Sequence, residues 1–446
     1  MPEKLVEAVR ADAGARAILN SPLPDSYRAA FLRREDEGIF DGAADRDVRR
    51  SIHIGDVPMP ELAPDEVLVA VMAAAVNYNT VWSAMFQPLS TFGFLDHFAR
   101  QGGWATRHRR DYHVVGSDAA GVVVRTGSAV RHWSVGDRVV VAAPYIDEQD
   151  PMAQRDGMLS HDFRAWGFET NFGAFGQFAV AKATQLIAKP RHLSWEEAAC
   201  NTLCLGTAYR MLIGPGGARI KLGDVVLVWG AAGGLGAYAV QLCRQAGAIT
   251  VGVVGSTDKA DLLDRLGCDV VLNRHDVGLT GDEADGVDEW RALGTAIRKH
   301  TGEDPHVAFE HVGRATFAAS VYVVRRGGTV VTCGSSSGYD HRYDNRHLWM
   351  KLKRVIGSHG ANAQESVEAN RLVALGRIVP TLSRTFGLDA AAEATRLVQT
   401  NAHEGKVGVL CLAEREGLGI EDEALRARVG EDRLRLFRDH AARRPS

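Results

Sequence analysis

Between Val225 and Leu242 the chain reads Val-Val-Leu-Val-Trp-Gly-Ala-Ala-Gly-Gly-Leu-Gly-Ala-Tyr-Ala-Val-Gln-Leu. The run Val225 to Trp229 is apolar and partly β-branched, which predicts a buried parallel strand, and from Leu235 the apolar spacing becomes helical. Ala231, Gly233, Gly234, Leu235 and Gly236 make the turn between them. Glycines there present no Cβ, so backbone N–H groups and a helix N-terminus can close on a pyrophosphate. A strand, a glycine loop and a helix in that order predict a dinucleotide site.

Folds that select NAD place an acid at the end of the next strand, ~20 residues past the glycines, to bind the ribose 2′-OH. Here that strand ends Val253-Val254-Gly255-Ser256-Thr257-Asp258-Lys259. Its tip is free of acids. Ser256 and Lys259 suit a 2′-phosphate, which predicts NADPH, and Asp258 reads as a helix-start residue. Lys259 reads equally well as a solvated helix lysine.

The elements that must hold this loop follow from spacing. From about Leu222 the rhythm is strand then helix, with strands expected at 250–254, 270–272, 307–309, 329–332 and 355–356. Upstream, 57–76, 114–124 and 138–142 read as strands of a β-rich, barrel-like unit. Two long polar stretches, 88–112 and 145–171, interrupt it; unstructured insertions of that length usually serve a site or a subunit contact. After Gly360 the chain is expected to return to the first unit, with a closing strand in His403-Glu-Gly-Lys-Val-Gly-Val-Leu. A charged lead-in of some fifty residues and a helix-prone tail flank the whole.

Composition narrows the classes. A chain of 446 residues can hold two substantial cores. A formal charge of −3, from 52 basic and 55 acidic residues, gives no footprint for nucleic acid or an anionic membrane. The apolar runs are too short for a membrane span, and the N-terminus lacks a signal-peptide core. Six scattered cysteines predict reduced thiols and a cytoplasmic protein.

Several segments carry a resemblance. Pro60-Glu-Leu-Ala-Pro-Asp-Glu-Val-Leu-Val, Gly136-Asp-Arg-Val, the glycine loop and His403-Glu-Gly-Lys-Val resemble the medium-chain dehydrogenase/reductase superfamily. Zinc-dependent members carry Gly-His-Glu and clustered cysteines; here stand Gly116-Ser117-Asp118, with no cysteine before Cys200. A zinc site needs a set of His, Cys or carboxylate ligands, so a metal-free member is expected. Val76-Asn-Tyr-Asn-Thr-Val-Trp82, Trp166-Gly-Phe-Glu-Thr-Asn-Phe172 and Leu348-Trp-Met-Lys-Leu-Lys-Arg-Val-Ile-Gly-Ser-His359 are similar to crotonyl-CoA carboxylase/reductases. The fold implied is α/β. A Rossmann-type parallel-sheet domain over 216–360 joins a GroES-like β-rich catalytic domain over 1–215 and 361–446.

The resemblance implies reductive carboxylation of a 2-enoyl-CoA. Hydride from NADPH reaches the β-carbon, and the α-carbon of the resulting enolate attacks CO2, giving an alkylmalonyl-CoA such as a polyketide extender unit. Water must be kept from the enolate, or the simply reduced acyl-CoA results. By the resemblance, Asn79, Phe168, Glu169 and His359 line the CO2 pocket. Asn79 would donate to one oxygen as carboxylate charge develops, and His359 would polarise the other. Phe168 would shield the site, with its backbone N–H as a further donor. Glu169, repelled by a carboxylate, would orient a water or His359. Without the resemblance, Asn79 reads as a turn or cap residue, His359 as a buried hydrogen-bonded histidine, and Glu169 as an arginine's partner.

For the CoA and NADPH phosphates the basic stretch Arg342, Arg346, Lys351, Lys353 and Arg354 offers charge, with Tyr322 for adenine stacking. A solvated basic helix fits that stretch as well. Ala165 and Gly360 stand where the crotonyl-preferring pattern has a bulky aliphatic residue and Phe. The lost volume predicts a medium-chain or branched acyl group, gaining ~0.8 kcal/mol per buried CH2. The rival enzymatic reading is a metal-free enoyl-CoA or quinone reductase that protonates the enolate; a non-catalytic NADPH-binding protein is the other. A homotetramer or homodimer is expected from the family.

Overall fold

The computed structural model describes residues 3–279 and 286–443, and these divide into two compact units. The first comprises Met1–Leu203, Asn362–Gly376 and Leu382–Arg438; the second comprises Cys204–Ala361, Arg377–Thr381 and Asp439–Ser446.

The second unit is built on six strands: Val225–Val228, Ile249–Val254, Val270–Asn273, Val307–Glu310, Thr329–Thr332 and Arg354–Gly357. All pair in parallel, and in chain order they lie 3-2-1-4-5-6 across the sheet. That order leaves a crevice at the carboxyl ends of the strands on either side of the first, where such sheets bind ligands. Each of the five strands expected after the glycine loop is present. The core combines Val225, Leu227, Val251, Val253, Ala308 and Val330 from the strands with Leu293, Ile297, Phe317 and Val321 from helices. Arg354–Gly357 is one edge of the sheet, with most of its residues exposed, and Val270–Asn273 is the other.

The first unit carries a seven-stranded sheet, centred on Glu66–Ala75, that is antiparallel except where Leu382–Gly387 meets Lys406–Leu410. Every residue of Glu66–Ala75 is buried. The strand-like stretch 57–76, which Pro58, Pro60 and Pro64 punctuate, is two strands, His53–Pro58 and Glu66–Ala75, divided where Pro60 and Pro64 withhold ladder donors. The stretch 114–124 is also divided, into Tyr112–Val114 and Ala119–Thr126, which belong to different sheets. The break falls at Gly116, whose φ of 108° few side chains tolerate.

Three segments differ from the sequence reading. The lead-in is not merely charged: Ser26–Arg33 is a strand between His53–Pro58 and Tyr112–Val114. The insertion over 88–112 holds the helix Thr91–Ala99, which buries Phe92, Leu95 and Phe98. The charged tail, as far as Arg438, folds onto the first unit. There Leu434 and Phe437 are buried, Arg426 forks onto Glu197 at 2.7 and 3.1 Å, and Arg438 reaches Glu196 at 3.0 Å.

Buried Glu66 ties both insertions to the central strand. It accepts from the Arg107 guanidinium in the first and from the Tyr145 hydroxyl, 3.2 Å away, at the start of the second. The second insertion closes on Asp150, which accepts from the N–H groups of Met152 and His161 at 2.9 and 2.6 Å. Those donors, His161 first, hold its carboxyl down at about 2. No helix among the described residues is long and apolar enough to cross a membrane.

Candidate active site

In the first unit the expected CO2-site residues lie on two neighbouring pieces of backbone. Asn79 is the second residue of the helix Tyr78–Met85, which follows directly on the central strand. Its Nδ2 lies 2.8 Å from Oγ of the buried Ser117. Its Oδ1 is buried without a hydrogen-bond partner. Ser117 sits in the Gly116-Ser117-Asp118 bend between the two divided strands. Asp118 is fully buried and accepts four hydrogen bonds: Asn77 Nδ2 at 2.9 Å, Thr202 Oγ1 at 2.5 Å, Leu203 N at 2.8 Å and Lys406 Nζ at 2.9 Å. The cap reading of Asn79 does not apply, since Asn77 holds the cap position.

Ala165, Phe168 and Glu169 share one closed turn. The Glu169 carboxylate accepts from the Ala165 N–H at 2.8 Å, while the N–H groups of Phe168 and Glu169 donate to the Ala165 carbonyl at 3.1 and 2.8 Å. The Phe168 N–H, expected as a donor to CO2, is thus engaged inside the turn. Trp166 anchors the turn, fully buried with its indole N–H on the Val180 carbonyl at 2.7 Å. Gly167, at φ 68°, presses on Gly116 so closely that a Cβ would overlap the Gly116 carbonyl oxygen. The Gly116 N–H donates to the Gly167 carbonyl at 3.2 Å. The two pieces of backbone are therefore joined at Gly116.

The insertion helix supports this turn. Phe94 packs on the half-buried Phe168 ring, with centroids 5.6 Å apart. The Thr91 hydroxyl lies 3.2 Å from the Phe168 carbonyl and 2.5 Å from His113 Nδ1. His113 Nε2 faces the Thr170 carbonyl at 3.0 Å. That carbonyl can only accept, so Nε2 carries the proton and Nδ1 accepts from Thr91. Burial holds the ring neutral, with its pKa brought down to about 4.

In the second unit the glycine loop has the shape a dinucleotide requires. Gly230 is at φ 55° with the His311 ring against it, and a Cβ on Gly236 would run into the Gly230 carbonyl. The helix Gly234–Gln245 starts without a side-chain cap, leaving its first N–H groups for an anion. Ala231 is buried, while Gly233, Gly234 and Leu235 are half-buried at the mouth of the loop. At the tip of the second strand Ser256 Oγ is buried without a partner, and Lys259 lies in the first turn of the following helix. Sequence reasoning missed Arg274. It follows the third strand, donates its N–H to the Val254 carbonyl at 2.9 Å, and lays its guanidinium beside Gly255. The available signal was a basic residue at the carboxyl end of the strand neighbouring the acid-free tip.

The expected phosphate cations divide. Lys353 is buried, donates to the Val321 and Tyr322 carbonyls at 2.6 and 2.9 Å, and is brought to about 8 by that burial. It caps the helix Phe317–Val323 and is not a phosphate ligand. Arg346 is exposed and forks onto Asp344 at 3.1 and 2.6 Å. Arg354 is exposed at the start of the edge strand. Tyr322 is half-buried, with the Trp290 and His347 rings 5.7 and 4.8 Å away. His359 and Gly360 follow the edge strand at its carboxyl end; His359 is exposed, and Gly360 has φ 51°.

Known proteins resemble the chain throughout. Residues 63–191 match the alcohol dehydrogenase GroES-like domain, and residues 234–374 match the zinc-binding dehydrogenase family. A crotonyl-CoA reductase of Streptomyces avermitilis is 49% identical, over 95% of this chain and 97% of that protein. A crotonyl-CoA carboxylase/reductase of Cereibacter sphaeroides is 40% identical, over 91% and 92%. The solved structure of the 2-octenoyl-CoA carboxylase reductase CinF, in complex with NADP and 2-octenoyl-CoA, superposes with a TM-score of 0.96. It is 56% identical, over 98% of this chain and 99% of that one. The first unit is thus GroES-like and the second Rossmann-like, and the chain belongs to the crotonyl-CoA carboxylase/reductase family.

Proposed function

We propose that this enzyme reductively carboxylates a medium-chain 2-enoyl-CoA with NADPH and CO2, releasing the alkylmalonyl-CoA. The observation that carries this reading is the near-complete correspondence with the 2-octenoyl-CoA enzyme. Ala165, and Gly360 after the edge strand, support the acyl length: neither fills the volume that a branched or aromatic side chain would take. A longer or branched chain gains apolar burial there.

The glycine loop fits a pyrophosphate, and Ser256, Lys259 and Arg274 fit a 2′-phosphate: one unpartnered buried hydroxyl and two cations around an acid-free strand tip. NADPH, when bound, supplies the hydride that adds to the β-carbon of the enoyl thioester. The residues of the chain then decide the fate of the enolate. Asn79 offers an amide donor where negative charge grows on the CO2 oxygens, and His359 a second polarising group. Phe168, backed by Phe94, keeps water away. Glu169 keeps its carboxylate on the Ala165 N–H, so its charge is directed into the turn rather than at the nascent carboxylate. Arg346 and Tyr322 remain the residues proposed to meet CoA, and Arg354 remains proposed for the NADPH phosphates. The exposed Trp349, Met350, Leu352 and Val355 at the edge strand Arg354–Gly357 support assembly with further copies of the chain as a dimer or tetramer. The cytoplasm is the compartment proposed, in keeping with buried thiols at Cys200, Cys204, Cys243 and Cys268.

Product masses across a 2-enoyl-CoA length series, with NADPH and with or without CO2, test this reading. Carboxylated product is expected only with CO2, with kcat/KM rising from crotonyl- to octenoyl-CoA. His359→Ala is expected to move product from carboxylated to reduced acyl-CoA. Equal amounts of reduced product with and without CO2 would favour a simple reductase.

A further inference from the structure

We propose that Ser117 is a positioning residue for carboxylation: its hydroxyl fixes the amide plane of Asn79 and so aims the donor that receives CO2. The proposal rests on the reading of Asn79 as a CO2 contact. An asparagine amide turns freely about its last torsion, which is broad and roughly two-fold. Asn79 has one side-chain hydrogen bond to hold it, from Nδ2 to Ser117 Oγ at 2.8 Å, and its other polar atom is buried and unsatisfied. A buried unpaired acceptor costs stability; with the amide turned over, an N–H stands at that position instead and can serve a ligand that accepts.

A serine hydroxyl can donate or accept. Accepting, it leaves the second N–H of Nδ2 for a ligand. Donating to Oδ1, it turns the whole NH2 group toward the space that Oδ1 now faces. Either way the amide plane is the same.

The rigidity behind Ser117 is what makes this more than a chance contact. The preceding Gly116 is pinned to Gly167, and the following Asp118 is fixed by its four donors. Asn77, two residues before Asn79, is bound to that same Asp118 and to Lys406 Nζ at 2.5 Å. Donor and orienter are thus mounted on one buried ionic cluster, and their separation is fixed from both sides.

The test is the ratio of reduced to carboxylated product per NADPH consumed, at limiting CO2. It is measured for the wild type, S117A, S117T, N79A and the S117A/N79A double variant. S117A is expected to raise the ratio about fivefold, the factor that ~1 kcal/mol of lost hydrogen bonding produces. S117T, which keeps the hydroxyl, is expected to restore most of it, and the double variant to match N79A. A wild-type ratio in S117A, or effects of the two substitutions that multiply, would overturn the proposal. A wild-type ratio in N79A would overturn the CO2 reading of Asn79 instead. Should S117A fail to fold, S117C replaces it with the same outcomes, since a thiol is a weak donor of similar size.

Discussion

Lys406 and Asp118, 288 positions apart in the chain, meet at 2.9 Å with their side chains 3% and 0% exposed. Lys406 Nζ also donates to Asn77 Oδ1 and the Val76 carbonyl, at 2.5 and 2.9 Å. One ammonium therefore connects the returning C-terminal strand, the end of the central strand and the bend that carries Ser117. A charge this deep is tolerable only because its donors are satisfied.

Removing the cation should expose that dependence. Lys406→Met leaves Asp118 buried without its counter-charge and is expected to cost about 3–5 kcal/mol of stability, read by denaturant unfolding. Adding Asp118→Asn removes the stranded charge and should recover part of the loss. Equal stability of Lys406→Met and wild type would contradict the pairing.

His113 makes a second prediction, in pH. Its folded pKa lies near 4 because it is buried, against an ordinary 6.5. Above pH 6.5 the ring is neutral in both states and titration changes nothing. Between 6.5 and 4 the unfolded chain takes up a proton that the native ring refuses, so stability falls as the pH falls, by on the order of 3 kcal/mol over the window. Below about 4 the slope from this group ends. His113→Gln, less stable at pH 7, should lose less on acidification, so the gap in Tm should narrow from pH 7 to pH 4. A gap independent of pH would show that His113 titrates normally.

Acyl preference should respond most cleanly at Ala165. Gly360 is at φ 51°, so a side chain there adds backbone strain of about 1–2 kcal/mol to any volume effect. Ala165→Ile carries no such penalty. It is expected to lower kcat/KM for octenoyl-CoA relative to crotonyl-CoA by up to about two hundredfold, the limit set by four methylenes at ~0.8 kcal/mol each. An unchanged ratio would place the acyl chain elsewhere.

Arg274 should discriminate between cofactors. A charge-assisted contact to a 2′-phosphate is worth about 1.5–3 kcal/mol. Arg274→Ala is then expected to raise KM for NADPH about tenfold or more while leaving kcat/KM for NADH unchanged. Parallel changes for both cofactors would remove Arg274 from the 2′-phosphate site.

The sequence reveals the second unit better than the first, for a physical reason. A parallel strand buried on both faces is a continuous apolar run, and the run Val225 to Val228 or Ile249 to Val254 has few other readings. The first unit depends on contacts remote in sequence. Ser26–Arg33 carries two arginines and reads as charged until its partners are known. The apolar spacing of Phe92, Leu95 and Phe98 was open to view, but Gly93 and polar flanks obscure the helix. Among site residues, Ala165, Phe168 and Glu169 were near one another in sequence. Their junction with Ser117 was not legible, because it runs through two glycine backbones that no side-chain pattern marks. The basic stretch misled over Lys353, since positive charge in a sequence does not tell whether carbonyls or phosphates receive it.

The closed turn from Ala165 to Glu169 has a consequence for evolving this enzyme. The residue proposed to admit the acyl chain donates its own N–H to the carboxylate of Glu169, one of the residues proposed to line the carboxylation site. Widening or narrowing position 165 by a substitution that tilts its backbone also re-aims Glu169. Substrate range and fidelity of carbon capture are then not separable traits. A lineage that explores new side chains at 165 should show leakiness first, and regain tightness only through later changes in the residues that brace the turn.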